Sequence, residues 1–372
     1  MFARTGVFLL LACSLNGQIQ AQQTTPPVVP SAEPRVVISS APSSETVIAI
    51  PPVTSWRLTQ LSNKSPSLDP TEMAKWLHSQ SELNGLQSDD IHPWHIVVDY
   101  DQYDEDGDNV HSGVIEEFWA GPQKYTISYK GDTLNQTDYA TDHGLFRLGD
   151  QRWPNRVETQ ALAEIADPFF YLSNLYNFHT TIQDRTFGKH SLHCIVLERN
   201  GGVSIPIQYC FTTGSSALRY VRGEGWFQTV YNNIVSIDGR SLGRDVEVTD
   251  AGRPFLKLHV KAIELLSSIS ESNFTPPANA VDLTGKLVTG VTPTPIQTAS
   301  PEWPPSLRSQ HFAVTVDIVI GTNGLVKSAH AISGPQKAYK AAEKTASNWI
   351  FAPFLVVGKP AEMAAAIVLS NN

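Results

Sequence analysis

The stretch from Ser300 to Asn372 constrains the fold most, because two different residue periods follow one another there without a break. Phe312, Val314, Val316, Ile318 and Ile320 alternate with Ala313, Thr315, Asp317 and Val319. That period of two makes a strand with one face in a core. Gly321-Thr322-Asn323-Gly324 turns the chain, since Asn-Gly tolerates the positive φ a tight hairpin needs. Leu325 to Ile332 returns as a second strand, and Ser333-Gly334-Pro335 ends it. The period then becomes helical, with Ala338, Ala341, Ala342, Thr345 and Trp349 along one stripe. Small residues on that stripe let a helix sit close to a sheet. After Trp349-Ile350-Phe351-Ala352-Pro353 and a Gly358-Lys359-Pro360 turn, Met363 to Leu369 forms a last strand.

The N-terminus bounds where the chain works. Arg4 precedes an apolar run from Gly6 to Cys13, and small and polar residues continue to Ala21. This pattern is a secretory signal, covering residues 1–21 with cleavage after Ala21. The apolar run is much shorter than the roughly 20 residues that span a bilayer. Leu10-Leu11-Ala12-Cys13 also loosely fits a lipobox, so the alternative is a mature chain anchored to a membrane by lipid on Cys13. No later segment is apolar enough to cross a membrane, and the expected location is the periplasm. Residues 22–54, rich in Pro, Ser and Thr, cannot bury enough apolar surface to offset ordering entropy and are expected to be a disordered linker. The net charge is -9, without a cluster of Lys and Arg; a nucleic-acid partner requires concentrated positive charge, so none is expected.

Residues 55–275 carry the signals of a large domain. Asp69-Pro70-Thr71-Glu72 opens a helix through Leu77. Trp94 to Tyr100, Val114 to Trp119 and Lys124 to Tyr129 alternate as a meander of strands. A helical pattern runs from Glu158 to about Phe178, as two short helices or one kinked at Pro168. Strands resume at Ser191–Leu197, Ile205–Thr212, Ala217–Val221, Trp226–Ile237, Arg244–Thr249 and Leu256–Leu266. Residues 276–299 are expected to be a second linker, and 300–372 a small separate domain. The fold class is therefore α+β: an antiparallel β domain with a few helices, then a small domain of antiparallel strands with one packed helix.

Catalytic patterns are missing. Glu116 and Glu117 occupy successive strand positions and face opposite ways, which is poor geometry for an acid–base pair. The acidic turn at residues 104–109 lacks calcium-loop ligands at both ends, with Gln102 and Gly113 where Asp and Glu are needed. No nucleophile motif, metal set or cofactor site is expected, and the chain is read as non-enzymatic. Setting Cys13 aside leaves Cys194 and Cys210 on strands either side of Asn200-Gly201-Gly202. If those strands form a hairpin centred near Gly202, the two cysteines lie nearly opposite, within disulfide reach. The competing assignment joins His190, His193 and Cys194 into a metal site.

Two resemblances follow from these residues. Trp303-Pro304, Asn323-Gly324 with Val326, Ser333-Gly334, Ala341-Ala342 before Trp349, Phe351 and Pro353, and Gly358 with Pro360 together resemble the TonB C-terminal domain family. Leu307 and Thr345 depart from that family's usual Ala. The resemblance implies an interaction module that pairs a sheet edge with a segment of an outer-membrane receptor or another envelope protein, linked to transmembrane transport. It places the partner contacts at Trp303 and Pro304 or along Met363, Ala365, Ile367 and Leu369. Strand addition of this kind uses the open N–H and C=O groups of an edge.

Residues 56–274 look like the curved-sheet LolA and LolB lipoprotein-carrier superfamily. Gly113 to Trp119, Gly121-Pro122-Gln123-Lys124-Tyr125, the mid-chain helix and a closing Phe274-Thr275-Pro276-Pro277 carry that resemblance. It implies a concave apolar face that accepts acyl chains. The main functional expectation is thus an exported protein docking by strand addition. The alternative is a periplasmic lipid or lipoprotein carrier acting through its middle domain.

Overall fold

Trp94, Ile96, Val98 and Tyr100 are buried on one side of their strand while the residues between them are more exposed, and this alternation organises most of the molecule. The computed structural model describes residues 59–60, 68–86, 91–104, 107–152, 154, 156–169, 178–199, 203–204, 206–223, 227–284, 287–288, 293–310, 312–356 and 359–371. The expected signal peptide and first linker, residues 1–54, lie outside the described residues, as does the Asn200-Gly201-Gly202 turn.

The larger part runs β1 (Thr59–Gln60), α1 (Pro70–Asn84), β2 (Trp94–Tyr103), β3 (Asn109–Gly121), β4 (Lys124–Gly131), β5 (Asn135–Thr141), β6 (Gly144–Gly149), α2 (Arg156–Ala166) and β7 (Phe178–Phe187). It continues through β8 (His190–Arg199), β9 (Val203–Ser204), β10 (Ile207–Thr212), β11 (Leu218–Arg222), β12 (Phe227–Ile237), β13 (Arg240–Asp250), β14 (Arg253–Leu265) and β15 (Val281–Asp282). Thirteen of these strands form one sheet, ordered β15-β6-β5-β4-β3-β2-β14-β13-β12-β11-β10-β8-β7. A twisted sheet this wide curls rather than staying flat. β2 to β6 form a meander outward, and the chain then re-enters at the far edge and works back until β14 pairs with β2.

Two helices cover the middle of one face. α1 packs on β13, and α2 on β13, β14 and β2. Met73, Leu77, Ala161, Leu162 and Ile165 of the helices share a core with Trp94, Ile96, Val98, Val246, Leu256 and Val260 of the sheet. Each such large apolar side chain contributes about 1.5–3 kcal/mol on burial. Asp69 caps α1, its carboxylate accepting from the backbone N–H of Thr71 at 2.9 Å and Glu72 at 3.0 Å, with Pro70 at the first turn as expected. At the other end of α1, Asn84 donates to the Ser216 carbonyl and accepts from the Leu218 N–H, both at 2.8 Å, which pins the helix to the β10–β11 turn.

The remainder comprises β16 (Leu287–Val288), β17 (Pro295–Gln297), β18 (Phe312–Ile320), β19 (Val326–Ser333), α3 (Gln336–Ala346), β20 (Ile350–Phe351), β21 (Phe354–Val356) and β22 (Lys359–Asn371). Its sheet is ordered β16-β22-β18-β19, with β21 on β22. Gly324 takes φ 80° in the expected turn. Ala338, Ala342 and Ala346 of α3 are buried against Phe312, Val314, Val316, Ile318 and Ile320, so the small stripe does set the helix close. α3 ends at Ala346, before Trp349, whose indole instead donates to the Ala299 carbonyl at 3.0 Å.

Residues 276–299, expected to be a plain connection, pair at three places. β15 joins β6, β16 runs parallel to β22, and β17 pairs with β20. The described structure is α+β and mostly antiparallel, with three α-helices among the described residues.

Candidate functional site

Register places four rows of side chains on the helix-bearing face of β2 to β6. The first is Trp94, Trp119, Tyr125, Ala140 and Leu145; the second is Ile96, Glu117, Ile127, Asp138 and Arg147. The third is Val98, Ile115, Tyr129 and Gln136, and the fourth is Tyr100, Gly113 and Gly131. Directly paired residues point to the same face, so these rows form one wall. The Tyr100 ring lies across the two glycines: a Cβ on Gly113 or Gly131 would come within 2.7 Å of its atoms. Trp94 and Trp119 stack with centroids 5.7 Å apart.

Glu117 stands in the middle of this wall, only 4% exposed. Its Oε2 has no hydrogen-bond partner, and burial pushes its carboxyl up to about 8. Tyr125 and Tyr129 on β4 are its diagonal neighbours, close enough for aromatic and long side chains to interact. Burial first, and then the Glu117 and Asp138 charges, raise the Tyr125 hydroxyl to about 12; the same causes raise Tyr129 well above its ordinary value.

Other buried carboxylates of the large sheet are satisfied. Asp138 forms a bidentate pair with Arg147 at 2.6 and 2.7 Å. Glu158 takes two hydrogen bonds from Arg152 at 2.5 and 2.8 Å. Glu164 accepts from Gln160 at 2.7 Å and from the Tyr231 hydroxyl at 3.1 Å. Asp250 accepts from Arg253 at 3.3 Å. Buried polar groups are normally paired in this way, and among the buried carboxylates of the described residues Glu117 is the exception. The site was not anticipated from the sequence, although the expectation that Glu116 and Glu117 face opposite ways is what isolates Glu117.

On the other face, Glu116 accepts from Lys130 at 3.0 Å and lies 3.0 Å from His95 Nε2. Burial alone would raise its carboxyl, but these bonds hold it below its ordinary value. His95 is stacked on Phe118 at 4.0 Å, with Nδ1 3.2 Å from Glu264. The same face carries Cys194 and Cys210. They are register partners on β8 and β10, joined by a disulfide with Cα atoms 4.0 Å apart. The metal alternative through His190, His193 and Cys194 is overturned, because the Cys194 sulfur is committed and His193 pairs with Asp184 at 2.8 Å. A groove of about 410 Å³ lies between α1 and the β10–β11 turn, lined by Trp76, Gln80, Phe211, Thr213 and Ser215 among others.

The expected partner contacts of the C-terminal unit go mostly inward. Trp303 is buried edge-on against Phe312, with centroids 4.9 Å apart, and Pro304 beside it is only partly exposed. Met363, Ile367 and Leu369 are buried in the same core, with Ala365 partly buried against it. The apolar alternation of β22 reports the face turned toward the core it shares with α3. What β22 leaves open is backbone. Among the described residues, one side pairs with β18 over Met363–Asn371, while the other side meets β16 at Glu362 and Met363.

No family model matches the sequence, and no curated protein matches it. Among solved structures, the chain is similar to a LolA superfamily protein from Nitrosomonas europaea, at 12% identity and TM-score 0.37, over 54% of this chain and 97% of that one. It is also similar to a DUF1329 family protein from Desulfovibrio piger, at 9% identity and TM-score 0.38, over 57% of this chain and 99% of that one. A third is the Pseudomonas aeruginosa MucA/MucB complex, at 9% identity and TM-score 0.29, over 81% of this chain and 93% of that one. A LolA superfamily protein is thus among the matches, and none of these three is described as a TonB C-terminal domain. At these TM-scores the likeness carries no weight for function, which rests on the geometry of the chain itself.

Proposed function

We propose that the protein is a non-enzymatic binding protein of the bacterial cell envelope that holds an amphiphile against the helix-bearing wall of its large sheet. The observation that carries this reading is Glu117, a buried carboxyl with an unpartnered oxygen set among Trp119, Tyr125, Tyr129, Ile96 and Ile127. An unsatisfied buried polar group costs about 1–3 kcal/mol; a ligand with an apolar tail and a hydrogen-bonding head would offset that cost. The Cys194–Cys210 disulfide supports an oxidising compartment such as the periplasm, in keeping with the signal expected at residues 1–21. Lipid attachment at Cys13 remains the alternative tether. Extraction of the natively purified chain with organic solvent tests the reading: a tailed amphiphile should be recovered in proportion to protein, and a chain that neither brings nor takes up one contradicts it.

A second reading has its own observation. Residues 364–371 of β22 have a partner strand on one side only among the described residues, which is the geometry that accepts an added strand. The TonB-like resemblance fits docking there, through backbone rather than through the side chains of Met363, Ile367 or Leu369. A photo-reactive residue at exposed Ala366 should give one discrete crosslinked product in intact cells. Crosslinking only to itself, or to nothing, contradicts this docking.

A further inference from the structure

We propose that the wall around Glu117 selects an amphiphile with an alkylammonium head, the ammonium group seated between the Glu117 carboxylate and the faces of Trp119, Tyr125 and Tyr129. The proposal rests on the carrier reading above and names the chemistry of its ligand.

Charge accounting on the wall points to a cation. Arg147 is fully buried and committed to Asp138 through Nε and Nη2, with Nη1 donating to the Arg152 carbonyl at 2.7 Å. Arg152 is committed to Glu158. Each of these guanidinium groups is thus matched to its own carboxylate. A phosphate or carboxylate head at Glu117 would meet no uncommitted cation on these rows and would bring a negative charge into a setting that already disfavours the carboxylate of Glu117. An ammonium head supplies the partner that Glu117 lacks once its carboxyl has ionised.

Aromatic placement agrees. Ammonium groups are attracted to aromatic faces within about 6 Å of the ring centroid. Among the described residues this contact already occurs, with Lys124 over Phe274 at 5.3 Å and Lys257 over Tyr103 at 5.4 Å. Glu117 is flanked along its own strand by Ile115 and Trp119 and diagonally by Tyr125 and Tyr129. From β2 it faces only Trp94, Ile96 and Val98. Tyr125 is the partly exposed member of the group, and it marks the side from which a head would arrive. The titratable and charged groups of the wall are Tyr100 on β2, Tyr125 and Tyr129 on β4, Asp138 on β5, Arg147 on β6 and, farther off, the Glu158 of α2 paired with Arg152. Burial keeps the free carboxyl protonated near neutrality, so a bound ammonium displaces its proton, and preference for the cationic head rises as pH rises.

The test compares two single-chain lipids with the same acyl tail, lysophosphatidylcholine and lysophosphatidylglycerol, each below its micelle concentration. The full disulfide-bonded chain is titrated with each and followed by tryptophan fluorescence. The choline lipid should bind about tenfold more tightly, with the ratio growing from about pH 6 to about pH 9. Glu117→Gln should bring the ratio close to one. Tyr125→Phe, which keeps the ring, should preserve the ratio. Equal affinities in the parent chain, or a ratio that survives Glu117→Gln, overturn the ammonium assignment and leave the carrier reading standing. Binding of neither lipid overturns both.

Discussion

Glu117 gives the structure a pH dependence whose sign is fixed. Its carboxyl is held at about 8 in the folded chain against an ordinary value of 4.5, because burial disfavours the charge and no hydrogen bond to Oε2 compensates. The folded state therefore binds a proton that the unfolded state has already released between those values. Stability is fully present below the unfolded value and is lost as pH rises through the folded one. At about 1.4 kcal/mol per pH unit, the whole window is worth about 4–5 kcal/mol. Glu117→Gln removes the ionisation while keeping the shape. Urea unfolding of parent and variant at about pH 5, 7 and 9 isolates the effect, since every other titrating group is common to both. The two chains should be within about 1 kcal/mol of each other at pH 5, and the variant should be more stable by several kcal/mol at pH 9. Parallel stability curves would refute the reasoning, because they would mean the carboxyl is solvated or paired in solution.

Other perturbations have expected sizes. Asp138→Asn leaves the fully buried Arg147 guanidinium without its charge partner and should destabilise by about 3–5 kcal/mol in urea melts. Replacing Cys194 and Cys210 with Ala opens a link across a sequence separation of 16 and should lower unfolding free energy by about 3 kcal/mol; reduction of the parent chain should reproduce the loss. Gly131→Ala drives a Cβ to 2.7 Å from the Tyr100 hydroxyl and should cost about 1–3 kcal/mol, visible as a lowered Tm. Ala342→Leu overfills the contact between α3 and β18 and should cost a similar about 1–3 kcal/mol, with the loss confined to the exchange of amides in residues 312–371.

Period and turn chemistry made the C-terminal unit legible: Asn323-Gly324, the alanine stripe and the strands around them lie where the pattern puts them. The same logic opened α1 at Asp69-Pro70-Thr71-Glu72 and set Cys194 opposite Cys210. It gave no sign of β5, β6 and β7, where polar residues such as Gln136, Asp138 and Arg147 occupy inward positions. Those side chains are tolerated because they satisfy one another across strands, and single-strand alternation cannot show that. Trp303 illustrates the reverse: the TonB-like resemblance implied a partner contact there, yet Phe312 and the core of the C-terminal unit claim its side chain. Glu117 was unreadable for the same reason. That it lacks a partner depends on which residues β2 and β4 bring opposite, and this register is a property of the folded sheet.

Native mass spectrometry of the full chain, purified without detergent from the envelope of cells that export it, tests the central claim most directly. A carrier built on this wall should appear with a discrete extra mass that collisional activation releases as a tailed amphiphile. The protein mass alone, unchanged after incubation with lysophosphatidylcholine, would contradict it.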